Sequence, residues 1–356
     1  MENKKVTVKE LAQKLGVSIS TVSKSLNDSY EISESTKTRV KSLAKKYNYT
    51  PNRLAVNLKS GKTRTIGVIL PSILSNFFTT VLYGIEKVTN EQNYNIITCI
   101  SNESHEKEVT NTKILSNGSI DGLIVAIAEE TQIKKDFSHF QNCINKGYPV
   151  VMFDRVTGSI ECDKVVVDDF NDAYMASQHL LDSQCKRLAL VSTIDFLGVG
   201  QMRVKGFEKA VKDRFGDVEH NKILKTNLAS LEKEVMALLD QRKIDGVFAI
   251  DEDSSLAVQK MAKLKGFNIP DDIAVIGYAG EKMAKNLSPA LTTVNQNGER
   301  IGEAAARILI DRLEGRLKEY VTKVISTNIE QRLSTEKKAV QSTLILDKVK
   351  VPLKNE

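Results

Sequence analysis

Small polar side chains and one lysine between positions 18 and 27 could form a hydrogen-bonding surface. The segment runs Ser-Ile-Ser-Thr-Val-Ser-Lys-Ser-Leu-Asn. Side chains of these types contact base edges and phosphates of double-stranded DNA. We predict that Ile19, Ser20 and Lys24 face base edges. The other candidate contacts of this region are Thr21, Ser23 and Asn27, expected nearer the sugar–phosphate backbone, together with Thr7 and Ser18.

Two short helices around a tight turn must position that surface. The first helix carries apolar residues at helical spacing, and Gly16 follows where a left-handed residue ends a helix. Ser18 can cap the second helix. Small Ala12 opposite Val22 lets the helices cross closely. This pattern predicts a helix-turn-helix, which presents its second helix to the major groove; a pair of surface helices without a partner is the alternative.

A third amphipathic helix and the local charge favour a DNA-binding headpiece. Ser33 can cap this helix, and Val40, Ala44 and Tyr47 share one face. Residues 1–64 hold fourteen Lys or Arg and five acidic residues, a formal charge of +9, whereas the whole chain carries +6. The excess positive charge lies in this segment, where it can contact phosphates. A solvated basic face is the alternative.

Residues 48–62 have the composition of a hinge. Pro51 stands where a helix can begin and Gly61 where it must end, so the helix has only about two turns and is marginal alone. Leu58 is predicted to wedge between base pairs in the minor groove. Packing of Leu54 and Leu58 on the next domain is the alternative. The segment also supplies three candidate DNA contacts, Asn52, Arg53 and Ala55.

The rest of the chain alternates short apolar runs with helical patterns. Runs rich in Val and Ile with helices between them predict parallel sheets covered on both faces. The segment 121–127 recurs in part at 245–250, which suggests two similar α/β halves. At about 290 residues the body exceeds one typical α/β layer, so we expect two subdomains. The predicted strands are 65–70, 95–100, 122–127, 150–154, 164–167, 187–192, 246–250, 273–278 and 291–294.

Polar and aromatic residues follow several of these strands. Two such halves create a cleft at the carboxyl ends of their strands, where open α/β sheets bind ligands. An aromatic pair suits the apolar face of a sugar ring, and paired donors and acceptors suit its hydroxyl groups. The candidates are Phe77, Phe78, Asp154, Arg155, Arg203, Asp251, Glu252 and Gln296. A set of surface polar residues is the alternative.

The headpiece, the hinge and nearly all of the remainder resemble the LacI/GalR (lactose-repressor) family of bacterial transcription regulators. The resemblance implies a periplasmic-binding-protein-like α/β body with crossovers near residues 162, 292 and 327. It also implies that each cleft candidate above is an effector contact, together with Ser75. Two positions depart from the pattern of sugar-binding relatives. Ser75 stands where many have Asn, and Ala279 stands where many have Asp.

The expected organisation follows from these patterns. An all-α headpiece spans 1–48, a hinge 49–63, a two-subdomain α/β effector-binding body 64–347 and a tail 348–356. The resemblance implies a homodimer on a near-palindromic DNA operator, switched by a small molecule, usually a sugar. Residues 302–313 offer a small-residue apolar face, and 344–347 are predicted as a last strand. The tail has no heptad repeat, so we expect a dimer and not a tetramer.

The sequence gives no support for catalysis. The four cysteines lie far apart without a CxxC spacing, and the four histidines have no metal-ligand spacing. There is no Walker loop, nucleophile elbow or Rossmann fingerprint. We therefore expect no enzyme activity, no metal and no cofactor. Without a signal peptide or a long apolar run, a cytoplasmic protein without a membrane partner is expected. The alternatives are an activator of the same architecture and a solute-binding receptor.

Overall fold

Two units make up the chain in the computed structural model, Met1–Arg64 and Thr65–Glu356. The structure describes residues 6–49, 62–216 and 221–337. Residues 50–61 of the predicted hinge, which include Asn52, Arg53, Ala55 and Leu58, lie outside the described residues. So do the predicted strand at 344–347 and the C-terminal tail.

The first unit is a three-helix headpiece with helices α1 (Val8–Leu15), α2 (Ile19–Leu26) and α3 (Glu34–Lys46). Ser18 and Ser33 cap α2 and α3 by accepting backbone N–H bonds, and Gly16 ends α1 at φ 67°. These three sequence predictions are confirmed. Tyr47 is 36% exposed and does not join the centre, while Tyr49 packs there instead. The buried centre consists of Leu11, Ala12, Val22, Val40 and Ala44.

The first half of the second unit, subdomain N, is built on a parallel six-stranded sheet. The strand order is β11-β5-β4-β3-β1-β2. Its strands are β1 (Thr65–Leu70), β2 (Asn95–Ile100), β3 (Gly122–Val125), β4 (Val150–Phe153), β5 (Asp163–Val166) and β11 (Thr322–Val324). Its helices are α4 (Asn76–Glu91), α5 (His105–Leu115), α6 (Glu129–Lys134), α7 (Ser138–Asn145) and α13 (Gly298–Leu313).

The other half, subdomain C, repeats that plan with strand order β12-β10-β9-β8-β6-β7. Only β12 runs antiparallel to its neighbour. The strands are β6 (Leu188–Ser192), β7 (Lys222–Lys225), β8 (Gly246–Ala249), β9 (Ala274–Gly277), β10 (Thr292–Asn295) and β12 (Asn328–Glu330). The helices are α8 (Asp169–Asp182), α9 (Gly198–Phe215), α10 (Leu231–Asp240), α11 (Glu252–Leu264) and α12 (Glu281–Asn286).

The internal repeat seen in the sequence falls on equivalent strands. Gly122–Val125 and Gly246–Ala249 each form the third strand along the chain of their sheet. Both strands are completely buried, because helices cover both faces of each sheet. The expected fold class, a helical headpiece followed by a two-subdomain α/β body, is therefore confirmed.

The chain crosses between the two subdomains three times. It leaves subdomain N after Val166, returns between Asn295 and Gly298, and crosses again between Val324 and Asn328. The first crossing follows 162 by a few residues because β5 still pairs with β4. Strands β7, β11 and β12 were not predicted. All three are short edge strands that carry no long apolar run.

Among the residues that the structure describes, no helix combines the length and the apolar character that crossing a bilayer requires.

Candidate DNA-binding face and ligand cleft

The outward face of α2 carries the residues predicted to contact base edges. Ile19 is 48% exposed, and Ser20 and Lys24 are exposed as well. Val22 is completely buried between the headpiece helices. Asn27 is exposed at the end of the helix, and Thr21 and Ser23 are half-buried. The amphipathic pattern of α2 thus leaves one polar face without a place in the headpiece centre.

Hydroxyl groups at the start of α2 bond to one another. Ser18 Oγ lies 2.7 Å from Ser20 Oγ and 2.9 Å from Thr21 Oγ1, and it accepts the Thr21 backbone N–H at 3.1 Å. Thr7 performs the same task on α1, where it forms a reciprocal capping box with Glu10. These bonds fix the orientation of the first turn of each helix. The positive end of the helix dipole lies at this first turn and favours the binding of phosphate groups nearby.

Lys24 is held by an acidic neighbour. Its ammonium group pairs with the carboxylate of Glu31 on the surface of the headpiece. Lys41 on α3 is paired in a similar way with Asp28. Surface pairs of this kind contribute little to stability and exchange readily with solvent. Lys24 can therefore leave Glu31 for a base or a phosphate.

The residues predicted to line the cleft of the second unit lie where strands end and helices begin. Ser75 and Phe77 lie at the start of α4, after β1, and both are half-buried. Asp154 and Arg155 follow β4, and Gln296 follows β10 at the second crossing. Because the carboxyl ends of parallel strands share one edge of a sheet, these residues lie at the edge where the sequence predicts the cleft.

Arg203 is the central charged residue, on the subdomain C side, of a polar cluster that we call the cleft floor. The cluster consists of Glu103, Asp154, Arg155, Asp169, Asp172, Arg203 and Tyr278. Arg203 is only 4% exposed. Its Nε donates to Asp169 Oδ1 at 2.7 Å and its Nη1 to the Ile250 carbonyl at 2.7 Å. The guanidinium carbon lies 3.9 Å from the ring centroid of Tyr278. A strand end, a helix start and an aromatic ring thus fix this guanidinium in one orientation.

Three carboxyl groups lie in the electrostatic field of Arg203. Burial and, to a smaller extent, the nearby charge of Asp169 raise the pKa of Asp154 to about 6. Burial also raises the pKa of Asp172 to about 6, although a hydrogen bond from the Thr327 hydroxyl opposes the rise. The pKa of Asp169 is raised by burial and lowered by Arg203. The site is acidic and poorly hydrated.

Several buried polar atoms around this floor have no hydrogen-bond partner among the described residues. They include the hydroxyl of Tyr278, Oδ2 of Asp172 and Nε2 of Gln296. An unsatisfied buried polar group costs about 1–3 kcal/mol. A polar ligand that enters the cleft can satisfy these atoms.

Arg155 forms the corresponding pair on the subdomain N side. Its Nη1 donates to both carboxylate oxygens of Glu103, at 2.8 Å and 2.7 Å. The guanidinium carbon lies 5.5 Å from the ring centroid of Phe78. Phe78 is itself only 5% exposed and packs edge-on against Phe153 and Phe77. Phe78 therefore supports Arg155 from below, and Phe77 is the more accessible ring.

Asp251 and Glu252, which precede and begin α11, have local tasks. Asp251 caps the helix: its carboxylate accepts the backbone N–H groups of Thr193 at 2.9 Å and Ser254 at 2.8 Å, together with the Ser254 hydroxyl at 2.8 Å. Burial raises the pKa of Glu252, and the backbone N–H groups of Gly280 and Asn76 oppose the rise. Asp251 thus has little capacity left for a ligand, and Glu252 faces both subdomains.

Two contacts bridge the rims of the cleft. The Asn76 side chain of subdomain N lies so close to Gly280 of subdomain C that a methyl group there would be 2.3 Å from Asn76 Cγ. On the other rim, Gln132 Oε1 accepts the Gly198 backbone N–H at 3.2 Å. The subdomains therefore meet over the cleft through backbone at two glycines.

Comparison with known proteins identifies the family. A model of the bacterial regulatory proteins of the lacI family matches residues 7–52, and a periplasmic binding protein-like domain matches 177–335. The HTH-type transcriptional repressor PurR of Vibrio cholerae is 30% identical over 312 residues, which cover 86% of this chain and 91% of that protein. The chain belongs to the LacI family.

Solved structures agree with this assignment. The lac repressor dimer bound to operator and the anti-inducer ONPF has a TM-score of 0.82 at 19% identity, covering 93% of this chain and 99% of that one. A LacI-family regulator from Enterococcus faecium with bound ribose has a TM-score of 0.67 at 28% identity, covering 76% and 98%. This LacI-family chain is a DNA-binding transcriptional regulator with a ligand-binding body, and its relatives are regulators and not enzymes.

Sequence reasoning missed four residues of the cleft floor in this LacI-family chain: Glu103, Asp169, Asp172 and Tyr278. Asp169 begins α8 just after the first crossing, and Tyr278 follows β9. Both positions follow a strand, which is the signal that was used for Asp154. Nothing in the sequence indicates that Asp169 pairs with Arg203, because 34 residues separate them.

Proposed function

We propose that this LacI-family chain is a dimeric repressor that binds a near-palindromic operator and responds to a small polyhydroxylated ligand, such as a sugar, in the cleft. One observation carries the proposal. The same chain presents an outward polar face on α2 and a cleft floor with buried polar atoms that have no hydrogen-bond partner among the described residues. The first feature fits DNA and the second fits a ligand rich in hydrogen-bonding groups.

On the DNA side, the exposure of Ile19, Ser20 and Lys24 supports base contacts in the major groove. A homodimer would place two α2 helices in successive major grooves, about one helical turn apart. The hinge residues remain proposals from the sequence: Asn52, Arg53 and Ala55 as DNA contacts, and Leu58 as the wedge in the central minor groove. If a Leu58→Ala chain bends the operator as much as its parent does, Leu58 does not act as a wedge.

On the ligand side, we assign the direct contacts to Arg203, Asp154, Gln296 and Phe77, with Ser75 and Glu252 at the rim. Arg155, Phe78 and Asp251 orient or support them, since their side chains are held by Glu103, Phe153 and the start of α11. The ribose-bound Enterococcus faecium regulator supports a sugar class of ligand. Rigid, oriented polar groups with one aromatic face suit such a ligand.

The regulatory sign is proposed as repression, which the name of the Vibrio cholerae relative supports. Ligand binding would change the angle between the subdomains and thereby the spacing of the two headpieces. Because ligand and operator bind the same chain, their coupling is reciprocal and typically amounts to about 1–3 kcal/mol. Activation from a differently placed operator is the alternative.

Selection of binding sites from randomised DNA with the full chain tests the proposal. We expect a two-fold symmetric consensus whose half-sites lie one helical turn apart. Calorimetry with a sugar panel and the DNA-free chain then identifies the ligand. A consensus without symmetry would overturn the dimeric reading, and an operator affinity that no bound ligand changes would overturn the switch.

A further inference from the structure

The positive charges of the cleft floor are already used within the protein. Arg203 donates to Asp169 and to the Ile250 carbonyl. Arg155 donates to both oxygens of Glu103. Each guanidinium therefore has a protein carboxylate as its partner. Arg203 can still donate a hydrogen bond to a ligand, but neither guanidinium is an unpaired positive charge.

Negative charges, in contrast, are left over. Asp154 follows β4 with φ 56°, and its carboxylate accepts no hydrogen bond from the described residues. Asp172 is 7% exposed; its Oδ1 accepts the Thr327 hydroxyl, and its Oδ2 has no partner. Four carboxylates and two guanidinium groups thus meet at this floor. With all of them ionised, the floor carries two negative charges in excess.

A second observation points to a ligand at this acidic floor. Tyr278 is 5% exposed, and its hydroxyl has no hydrogen-bond partner among the described residues. The electrostatic fields of Asp154, Asp169 and Asp172 all reach this hydroxyl. A buried hydroxyl and a buried carboxylate oxygen, both unpaired, require a group that can hydrogen-bond to them.

We infer that the cleft takes a ligand that presents hydrogen-bond donors and bears no anionic group, either a neutral polyol or a polyol with a protonated amine. This inference rests on the proposed function and narrows its ligand class. Carboxylates accept hydrogen bonds from hydroxyl and ammonium groups. A phosphate or carboxylate on the ligand would meet Asp154 and Asp172 at close range without a free guanidinium, and like charges in a poorly hydrated site repel strongly.

Matched pairs of small molecules test the inference by calorimetry on the full chain at pH 7.5. Each neutral sugar is paired with its charged forms: ribose with ribose 5-phosphate, and glucose with glucosamine, glucuronate and glucose 6-phosphate. We expect a neutral or amine-bearing member to bind and its anionic counterpart to bind at least tenfold more weakly. Equal affinity for an anionic counterpart overturns the inference. The panel consists of pentoses, hexoses, polyols, amino sugars and nucleosides, each with an anionic counterpart. The inference is also overturned if only anionic members of this panel bind, or if none binds.

A charge-neutral variant localises the discrimination. Asp172→Asn keeps an acceptor for the Thr327 hydroxyl and removes one charge, so it should reduce the preference for the uncharged member of a pair several-fold. Asp154→Asn provides the same test from the other subdomain. Asp213→Asn on the surface of α9 is the matched control and should leave the preference unchanged. An unchanged preference in both cleft variants would contradict the inference.

Operator binding, measured on the same samples, separates this inference from the proposed function. If the chain binds a symmetric operator and an anionic ligand changes its operator affinity, the proposed function stands and the inference on ligand charge is wrong. If the chain binds a neutral ligand that has no effect on operator affinity, the proposed switch is wrong and the inference on ligand charge stands.

Discussion

The side chain of Asn76 lies directly against the backbone of Gly280, and this contact joins the two subdomains across the cleft. A methyl group on Gly280 would lie 2.3 Å from Asn76 Cγ and 2.3 Å from its Oδ1. Gly280 has φ −59° and ψ 142°, which any L-residue can adopt. The backbone conformation therefore does not require glycine here, and a larger residue would have to displace the Asn76 side chain.

Gly280→Ala should hold the cleft more open and weaken ligand binding, because the added methyl group collides with Asn76. Asn76→Ala in the same chain should restore closure. The distance between spin labels at positions 114 and 264, both exposed, reports the opening in a Cys99→Ser background. Gly158→Ala is the control, since that position has open space around it. Equal distances in Gly280→Ala and its parent would show that closure does not depend on this contact.

Arg203→Ala should destabilise the body by about 3–5 kcal/mol, because it leaves Asp169 charged, buried and unpaired. The double variant Arg203→Met/Asp169→Asn should recover much of this loss. Urea unfolding measures both. Lys209→Ala, which breaks an exposed pair with Asp213, should leave the free energy of unfolding nearly unchanged. An Arg203→Ala chain with the same free energy of unfolding as its parent would mean that Asp169 is uncharged in the folded state. Response to the ligand should also be lost.

Lys24→Ala should weaken operator binding by about 1–3 kcal/mol and relax preference at one base position if this lysine contacts guanine. Lys41→Ala removes the same charge from α3 and should weaken binding to all sequences alike. Fluorescence anisotropy on the selected operator and on single-base variants separates the two effects. If Lys24→Ala lowers all affinities equally, Lys24 is only a phosphate contact.

Asp172 should make the folded body less stable as pH rises from about 4 to about 6. Its pKa is raised from 3.8 to about 6 by burial, so the folded state retains the proton longer than the unfolded state. The neighbours that influence it are Asp168, Asp169, Arg203 and Thr327. The shift corresponds to a loss of up to about 3 kcal/mol.

Asp172→Asn should remove this part of the pH dependence and be more stable than its parent above pH 6. Urea unfolding at pH 4.5, 5.5 and 7.5 measures the slope, with the exposed-site variant Asp213→Asn as control. An identical slope in Asp172→Asn and its parent would place the raised pKa elsewhere.

Local patterns in the sequence were sufficient to predict the headpiece helices and the central strands of both sheets. The headpiece helices are set by the caps Ser18 and Ser33 and by apolar spacing, and the central strands by Val- and Ile-rich runs. Edge strands such as Thr322–Val324 were not predicted, because their side chains are exposed and their sequences show no alternation of buried and exposed residues. Element boundaries and fold class depend mainly on neighbours within a few residues.

The partners of the cleft residues could not be predicted, because they depend on tertiary placement. The sequence indicated Arg203 but not its bonds to Asp169 and Ile250. Asp251 is an instructive case. It precedes Ser254 by three positions at the start of a helix, which is a capping signal that was available in the sequence.

Reciprocal coupling between ligand and operator tests the account most directly. The selected operator is titrated with the full chain by fluorescence anisotropy, with and without a saturating ligand identified by calorimetry. We predict that operator affinity changes by a factor between about 5 and 150, and that ligand affinity changes by the same factor when operator is bound. An operator affinity that stays the same while the ligand occupies the cleft would contradict the account.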